Sequence, residues 1–135
     1  MGTASAGNHD YLRSLGVRPV AYGEGLVERV RAVAPQGVDA VFDAAGYGVL
    51  PDAIELRGGT TDRVVTIADP GARELGVTFS GDSRPSAERL AELARLAAGG
   101  GLRLTVAETF PPEEAGRAQE RSATGHTRGK LVLLF

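Results

Sequence analysis

Gly37-Val-Asp-Ala-Val-Phe-Asp-Ala-Ala-Gly46 decides the fold. Its centre, Val38 to Ala44, predicts the strongest strand in the chain. The strand closes on small residues, Asp43-Ala-Ala-Gly46, and a helix pattern with Pro51 near its first turn follows over Leu50 to Leu56. The next strand, Arg63 to Ala68, is a nearly continuous β-branched run, as expected of a parallel strand covered on both faces. It too closes on small and turn residues, Ile67-Ala68-Asp69-Pro70. In open α/β sheets ligands meet the carboxyl ends of the strands, where small residues let a flat group approach the backbone. These two strand ends are therefore the first candidate site.

The same alternation extends outward. Upstream, Met1-Gly-Thr-Ala-Ser5 reads as the end of a strand running into a short helix over Asn8 to Leu15, capped by Ser5 or Asn8 and stopped by Gly16. Arg18 to Tyr22 predicts a strand. Glu24 to Val33 predicts an amphipathic helix with Leu26, Val27, Val30 and Val33 on one side. Downstream, Val77 to Ser80 predicts a short, more exposed strand. Ser86 to Ala98 predicts a helix with Leu90, Leu93, Ala94, Leu96 and Ala97 facing inward, stopped by Gly99-Gly-Gly101. Leu102 to Thr109 predicts a strand, Glu113 to Ala123 a helix with acids in its first turn, and Lys130 to Phe135 a last apolar strand. With no linker or repeat, the expectation is one α/β domain over residues 1–135. It is a truncated, Rossmann-like, doubly wound and mostly parallel sheet with helices on both faces and right-handed crossovers.

Composition removes several functions. The chain has 135 residues, 42% of them hydrophobic and 24% charged, enough for a real core. Its net charge of -2 gives no footprint for nucleic acid. Absence of cysteine excludes disulfides, thiolate metal sites and cysteine nucleophiles. No apolar run reaches the roughly 18 residues of a membrane span, and no signal pattern opens the chain, so a cytoplasmic location is expected. Lys130 is the only lysine, at the edge of the last strand, which leaves lysine chemistry a single and poorly placed candidate.

The glycine pairs carry less than they promise. Gly23-Glu-Gly25-Leu-Val-Glu28 has the spacing of a pyrophosphate turn but puts a glutamate where the third glycine belongs, which favours a tight strand–helix turn. Gly46-Tyr-Gly48 meets Pro51 in place of a third glycine, and Gly99-Gly-Gly101 follows a helix instead of a strand. His9 and Asp10 are sequence neighbours and diverge by about 100° on a helix. His126 sits in a loop before the last strand. Neither histidine belongs to a spacing that would hold zinc.

Taken in order, four stretches resemble the zinc-independent medium-chain dehydrogenase/reductases, the quinone oxidoreductase-like enzymes and the enoyl reductase domains of polyketide synthases. They are Gly2-Thr-Ala-Ser5 with Asn8 to Gly16, Gly37 to Gly46, Arg63 to Ile67, and Gly125 to Leu134. The resemblance implies a nucleotide-binding Rossmann fold, NADPH as cofactor, no metal, and hydride transfer to a quinone or enone. By position it puts Ser5, Asn8 and Tyr22 around the adenosine 2′-phosphate, Gly46 in the cofactor groove, and Ile67 and Ala68 beside the nicotinamide. It makes Val77-Thr-Phe79 an edge strand suited to a homodimer. It names no general acid.

The same resemblance implies a chain without the family's N-terminal GroES-like domain and without the first, glycine-rich strand–helix unit. Because that strand is central in the family's sheet, a slot is expected in its place. A rearranged strand, a segment swapped from another copy, or a separate chain carrying the missing domain would fill it. Arg18-Pro19 departs from the family's usual small and acidic pair. Three functions follow as expectations. The first is the cofactor-binding half of an NADPH-dependent oxidoreductase, inactive alone. The second is a binding, dimerisation or accessory module, placed near a polyketide-type pathway. The third is a non-redox enzyme that reuses the groove.

Overall fold

Every strand pair in the computed structural model is parallel. The structure describes residues 1–81 and 86–135, which divide into two compact units, Met1–Ser83 and Arg84–Phe135.

In the first unit the chain runs β1 (Gly2–Ala4), α1 (His9–Ser14), β2 (Pro19–Ala21), α2 (Leu26–Val33), β3 (Val41–Asp43), α3 (Leu50–Leu56), β4 (Val64–Thr66) and β5 (Thr78–Phe79). β1 pairs with β2 in one sheet, and β3-β4-β5 form another. The register puts Thr3 beside Val20, so both side chains share a face, and Val20 is buried with Leu26 and Val30 of α2. Gly2, on the opposite face, lies against α1: a Cβ there would stand 3.8 Å from the Leu12 side chain. Helices therefore cover both faces of β1-β2. Leu50, Ala53, Val64, Ala72 and Val77 make a second buried cluster between α3 and the three-stranded sheet, with Val41 packed against it. Full burial of a leucine or valine contributes about 1.5–3 kcal/mol, so these two small clusters hold the unit.

The strands are shorter than their sequence patterns. Val38 to Ala44 contracts to β3, because Val38 turns its carbonyl to Arg57, which donates to it at 2.7 Å. The expected side-chain caps at Ser5 and Asn8 are not made; instead the Asn8 amide donates to Ser5 Oγ at 3.2 Å. The glycine stop holds. Gly16, at φ +73°, lets its own N–H reach the Arg13 carbonyl and that of Val17 reach the Leu12 carbonyl, closing α1.

The second unit contains α4 (Ala87–Ala98), β6 (Val106–Phe110), α5 (Ala115–Ala123) and β7 (Lys130–Leu133). β6 and β7 pair in register from Val106 to Phe110 with an irregularity at Ala107, and Phe110 and Ala118 are buried. Leu102 to Thr105, expected to be strand, precede the ladder; the Thr105 carbonyl only anchors its start, accepting from the Lys130 amide at 2.8 Å. The inward face expected of α4 is not buried. Leu90, Leu93 and Leu96 are about half exposed or more, and the helix buries no residue. Spacing defines an apolar face, but burial needs a partner surface. α4 forms on local signals instead, with Ser86 accepting from the Arg89 amide and glycines closing its end.

Candidate functional site

The carboxyl ends of β3 and β4 are locked together by one buried carboxylate. Asp43 is 4% exposed. Its Oδ1 accepts from the amides of Ala45 and Gly46 at 3.0 and 3.1 Å, and its Oδ2 accepts from the Thr66 hydroxyl at 2.7 Å. Thr66 Oγ1 in turn accepts from the amides of Ala68 and Asp69 at 3.1 and 3.0 Å, and Asp69 Oδ1 accepts from the Gly71 amide at 2.8 Å. Burial pushes the Asp43 carboxyl up, but the bonds from Ala45, Thr66 and Gly46 together outweigh it and hold the group below its ordinary value of 3.8. It is a fixed anion that shapes two turns.

Those turns meet. Gly46 adopts φ +70°, and a Cβ on it would sit 2.5 Å from the Ala68 carbonyl oxygen. No side chain fits there. Gly46 and Ala68, two of the expected groove residues, are thus packed backbone to backbone. Ile67 is 43% exposed beside them, and its amide donates to the Asp43 carbonyl at 3.0 Å. The result is two closely packed turns at the strand ends, with Ile67 and Tyr47, one in each stretch, exposed.

The other expected cluster lies at the carboxyl ends of β1 and β2. Ser5 and Asn8 are joined by their hydrogen bond, and Tyr22 follows Ala21, the register partner of Ala4, with its ring 55% exposed. His9 is half-buried, with Nε2 3.2 Å from the Ala4 carbonyl, so it pins the β1–α1 junction instead of lying free on the surface.

Arg29 was not legible in sequence as a site residue. Its guanidinium donates to the carbonyls of Ala21, Tyr22, Gly23 and Glu24 at 3.0, 3.3, 3.0 and 2.7 Å. The Gly23-Glu-Gly25 turn therefore wraps its acceptors around a cation, the opposite polarity to a pyrophosphate cradle, which presents N–H groups. The expectation of a tight structural turn there agrees with this geometry.

Between the two sheets lies a cleft of about 400 Å³, with Gly2 and Thr3 on one side, Phe42 and Asp43 on the other, and Leu26 and Val30 of α2 among its lining. It occupies the position of the expected slot.

A family model described as zinc-binding dehydrogenase matches residues 15–133. The chain belongs to this dehydrogenase family. The quinone oxidoreductase from Coxiella burnetii has a similar solved structure: 28% identity, a TM-score of 0.76, 98% of this chain and 44% of that one covered. The human synaptic vesicle membrane protein VAT-1 homolog-like protein shares the fold alone, at 18% identity and TM-score 0.59, over 98% and 44% of the two chains. The chain thus spans less than half the length of either structure. No curated protein matches it at a significant level. The α/β, Rossmann-like class and the resemblance to quinone oxidoreductases both stand on these matches. The zinc in the family's description does not fit the donors present. The chain has no cysteine and two histidines, and among the described residues no three His, Cys, Asp or Glu converge as metal ligands do. Among the described residues, no helix is long and apolar enough to cross a membrane.

Proposed function

We propose that this dehydrogenase-family chain is the NADPH-binding part of a cytoplasmic quinone- or enone-reducing oxidoreductase and needs further polypeptide for hydride transfer. The observation that carries the reading is the Asp43–Thr66 lock, which holds the Gly46 and Ala68 turns in close backbone contact at adjacent strand ends. Bound there, NADPH would supply the hydride. Gly46, Ile67 and Ala68 would line its nicotinamide side and exclude water. Ser5, Asn8 and Tyr22 would orient the adenosine 2′-phosphate through hydroxyl and amide donors. No side chain is assigned as a proton donor. The exposed edge strand β5 supports a homodimer through Val77 to Phe79, since its outer side is unpaired among the described residues.

The two sheet edges at the cleft, unpaired among the described residues, favour a second reading, an accessory or dimerisation module with no redox role. Titration of NADPH followed by nicotinamide fluorescence, with NADH as control, separates the two. The oxidoreductase reading expects NADPH to bind at least tenfold more tightly than NADH, and Ser5→Ala with Tyr22→Ala to erase the difference. Binding no better than about millimolar, the weak end of the affinity scale at roughly −4 kcal/mol, would refute it.

A further inference from the structure

Between β3 and α3 the chain is fastened on both sides of one residue. Before it, the Gly46 amide donates to Asp43 Oδ1 at 3.1 Å, and the Gly46 backbone packs on the Ala68 carbonyl. After it, Val49 packs against the buried cluster of Val20, Leu26 and Val30, and Leu50 is fully buried. Between these anchors stands Tyr47, 91% exposed. Its two neighbours, Gly46 and Gly48, take φ +70° and +72°, which glycine enters without strain. A Cβ on Gly48 would meet nothing within 4 Å, so the turn itself, and not close packing, requires glycine there. Ile67 is the exposed apolar residue of the other turn. Tyr47 follows Gly46 and Ile67 precedes Ala68. Both side chains therefore leave the backbone one residue, about 3.8 Å, from the point where the two turns touch.

We infer that Tyr47 selects the hydride acceptor: its ring stacks on a fused-ring quinone lying beside the Gly46–Ala68 contact, with Ile67 as the apolar support. The inference deepens the oxidoreductase reading and rests on it, since that reading puts Gly46, Ile67 and Ala68 at the nicotinamide. A phenol ring is electron-rich and a quinone is electron-poor and planar, so an offset stack suits both. Such a ring pair contributes roughly two- to tenfold in affinity beyond the area it buries. A small enone offers only its short conjugated segment to the same ring. The ordering cost is low, because the backbone is anchored on both sides and tyrosine has only two side-chain torsions to fix.

The probe is anthraquinone-2-sulfonate, a planar and soluble quinone, with cyclohexenone as the small enone. The full chain has three tyrosines and no tryptophan, so ¹³C labelling of tyrosine reports Tyr47 with Tyr11 and Tyr22 as internal controls. The expected result is an upfield shift of the Tyr47 ring signals that saturates near about 1 mM quinone, together with shifts of the Ile67 and Ala68 amides. Cyclohexenone should bind about fivefold more weakly or worse. Tyr47→Leu should weaken quinone binding, read at the Ile67 and Ala68 amides, by about fivefold, and Tyr47→Phe should restore it to within about twofold. Equal binding by Tyr47→Leu and the parent overturns the inference, as does an equal response to cyclohexenone. NADPH titration of the unaltered chain keeps two failures apart. NADPH bound while quinone leaves Tyr47 unmoved overturns this inference alone. Quinone bound at Tyr47 without NADPH binding refutes the cofactor reading and leaves the ring contact standing.

Discussion

Replacing Thr66 with valine keeps the shape of the side chain and removes the hydroxyl that joins the two candidate turns. Thr66 is fully buried and makes three bonds: it donates to Asp43 and accepts from the amides of Ala68 and Asp69. A bond to a charged partner contributes about 1.5–3 kcal/mol and a neutral one about 1 kcal/mol. Ala68 is exposed, so water replaces part of its loss. The expected net cost of Thr66→Val is about 3 kcal/mol by urea unfolding at pH 7. The cost should also depend on pH with a fixed sign. The folded-state pKa of Asp43 lies below its ordinary 3.8, so its bonds stabilise fully above that value and are lost as pH falls through the lower, folded one. Thr66→Val removes one of the three bonds that depress this pKa. The gap between variant and parent should therefore be constant from pH 7 to about pH 5 and narrow below 3.8. A loss under about 1 kcal/mol, or a gap that stays the same at pH 3, would refute the lock as described.

Two further perturbations probe neighbouring features. Gly46→Ala adds a Cβ where the Ala68 carbonyl already stands 2.5 Å away, at φ +70°; it should cost about 2 kcal/mol or more, and an unchanged melting temperature would count against the close approach. Arg29→Ala should loosen the turn at residues 22–25, seen as faster cleavage after Glu24 by a glutamyl endopeptidase, and Arg29→Lys should fail to restore it, since one ammonium cannot span four carbonyls.

Strand positions and helix stops were legible in the sequence because each rests on local chemistry. Leu50 to Leu56 matches α3 residue for residue, and the glycine stops at Gly16 and Gly100 take the left-handed conformation a helix end requires. Strand length was not legible. β3 begins late, at Val41, because the Val38 carbonyl is claimed by Arg57, nineteen residues away, and no window of sequence reports that. The face of α4 failed for a related reason: periodicity names the side to be buried but not whether a surface exists to bury it. At the site, Asp43 and Gly46 stood out as a short polar-to-small turn. Thr66 did not, because threonine in a β-branched run reads only as a strand former. Arg29 lies outside the apolar side of the predicted helix, and its role depends on a loop folding back over it.

The all-parallel pairing carries a consequence for how the chain reaches this state. No hairpin is present among the described strands, so no two are brought together by a tight turn. Even the closest pairing, Val65 with Thr78, waits on the helical turn at Pro70–Arg73 between them, and Gly2 with Pro19 waits on α1. Each ladder can close only after its crossover has become compact, which puts the entropy of loop closure ahead of every strand contact. Folding is then slow for a chain of this length, and during that interval the β-branched segment Val64–Thr66 and the apolar segment Leu131–Leu133 are unpaired. A nascent chain is in greatest danger of sticking to its neighbours in that interval.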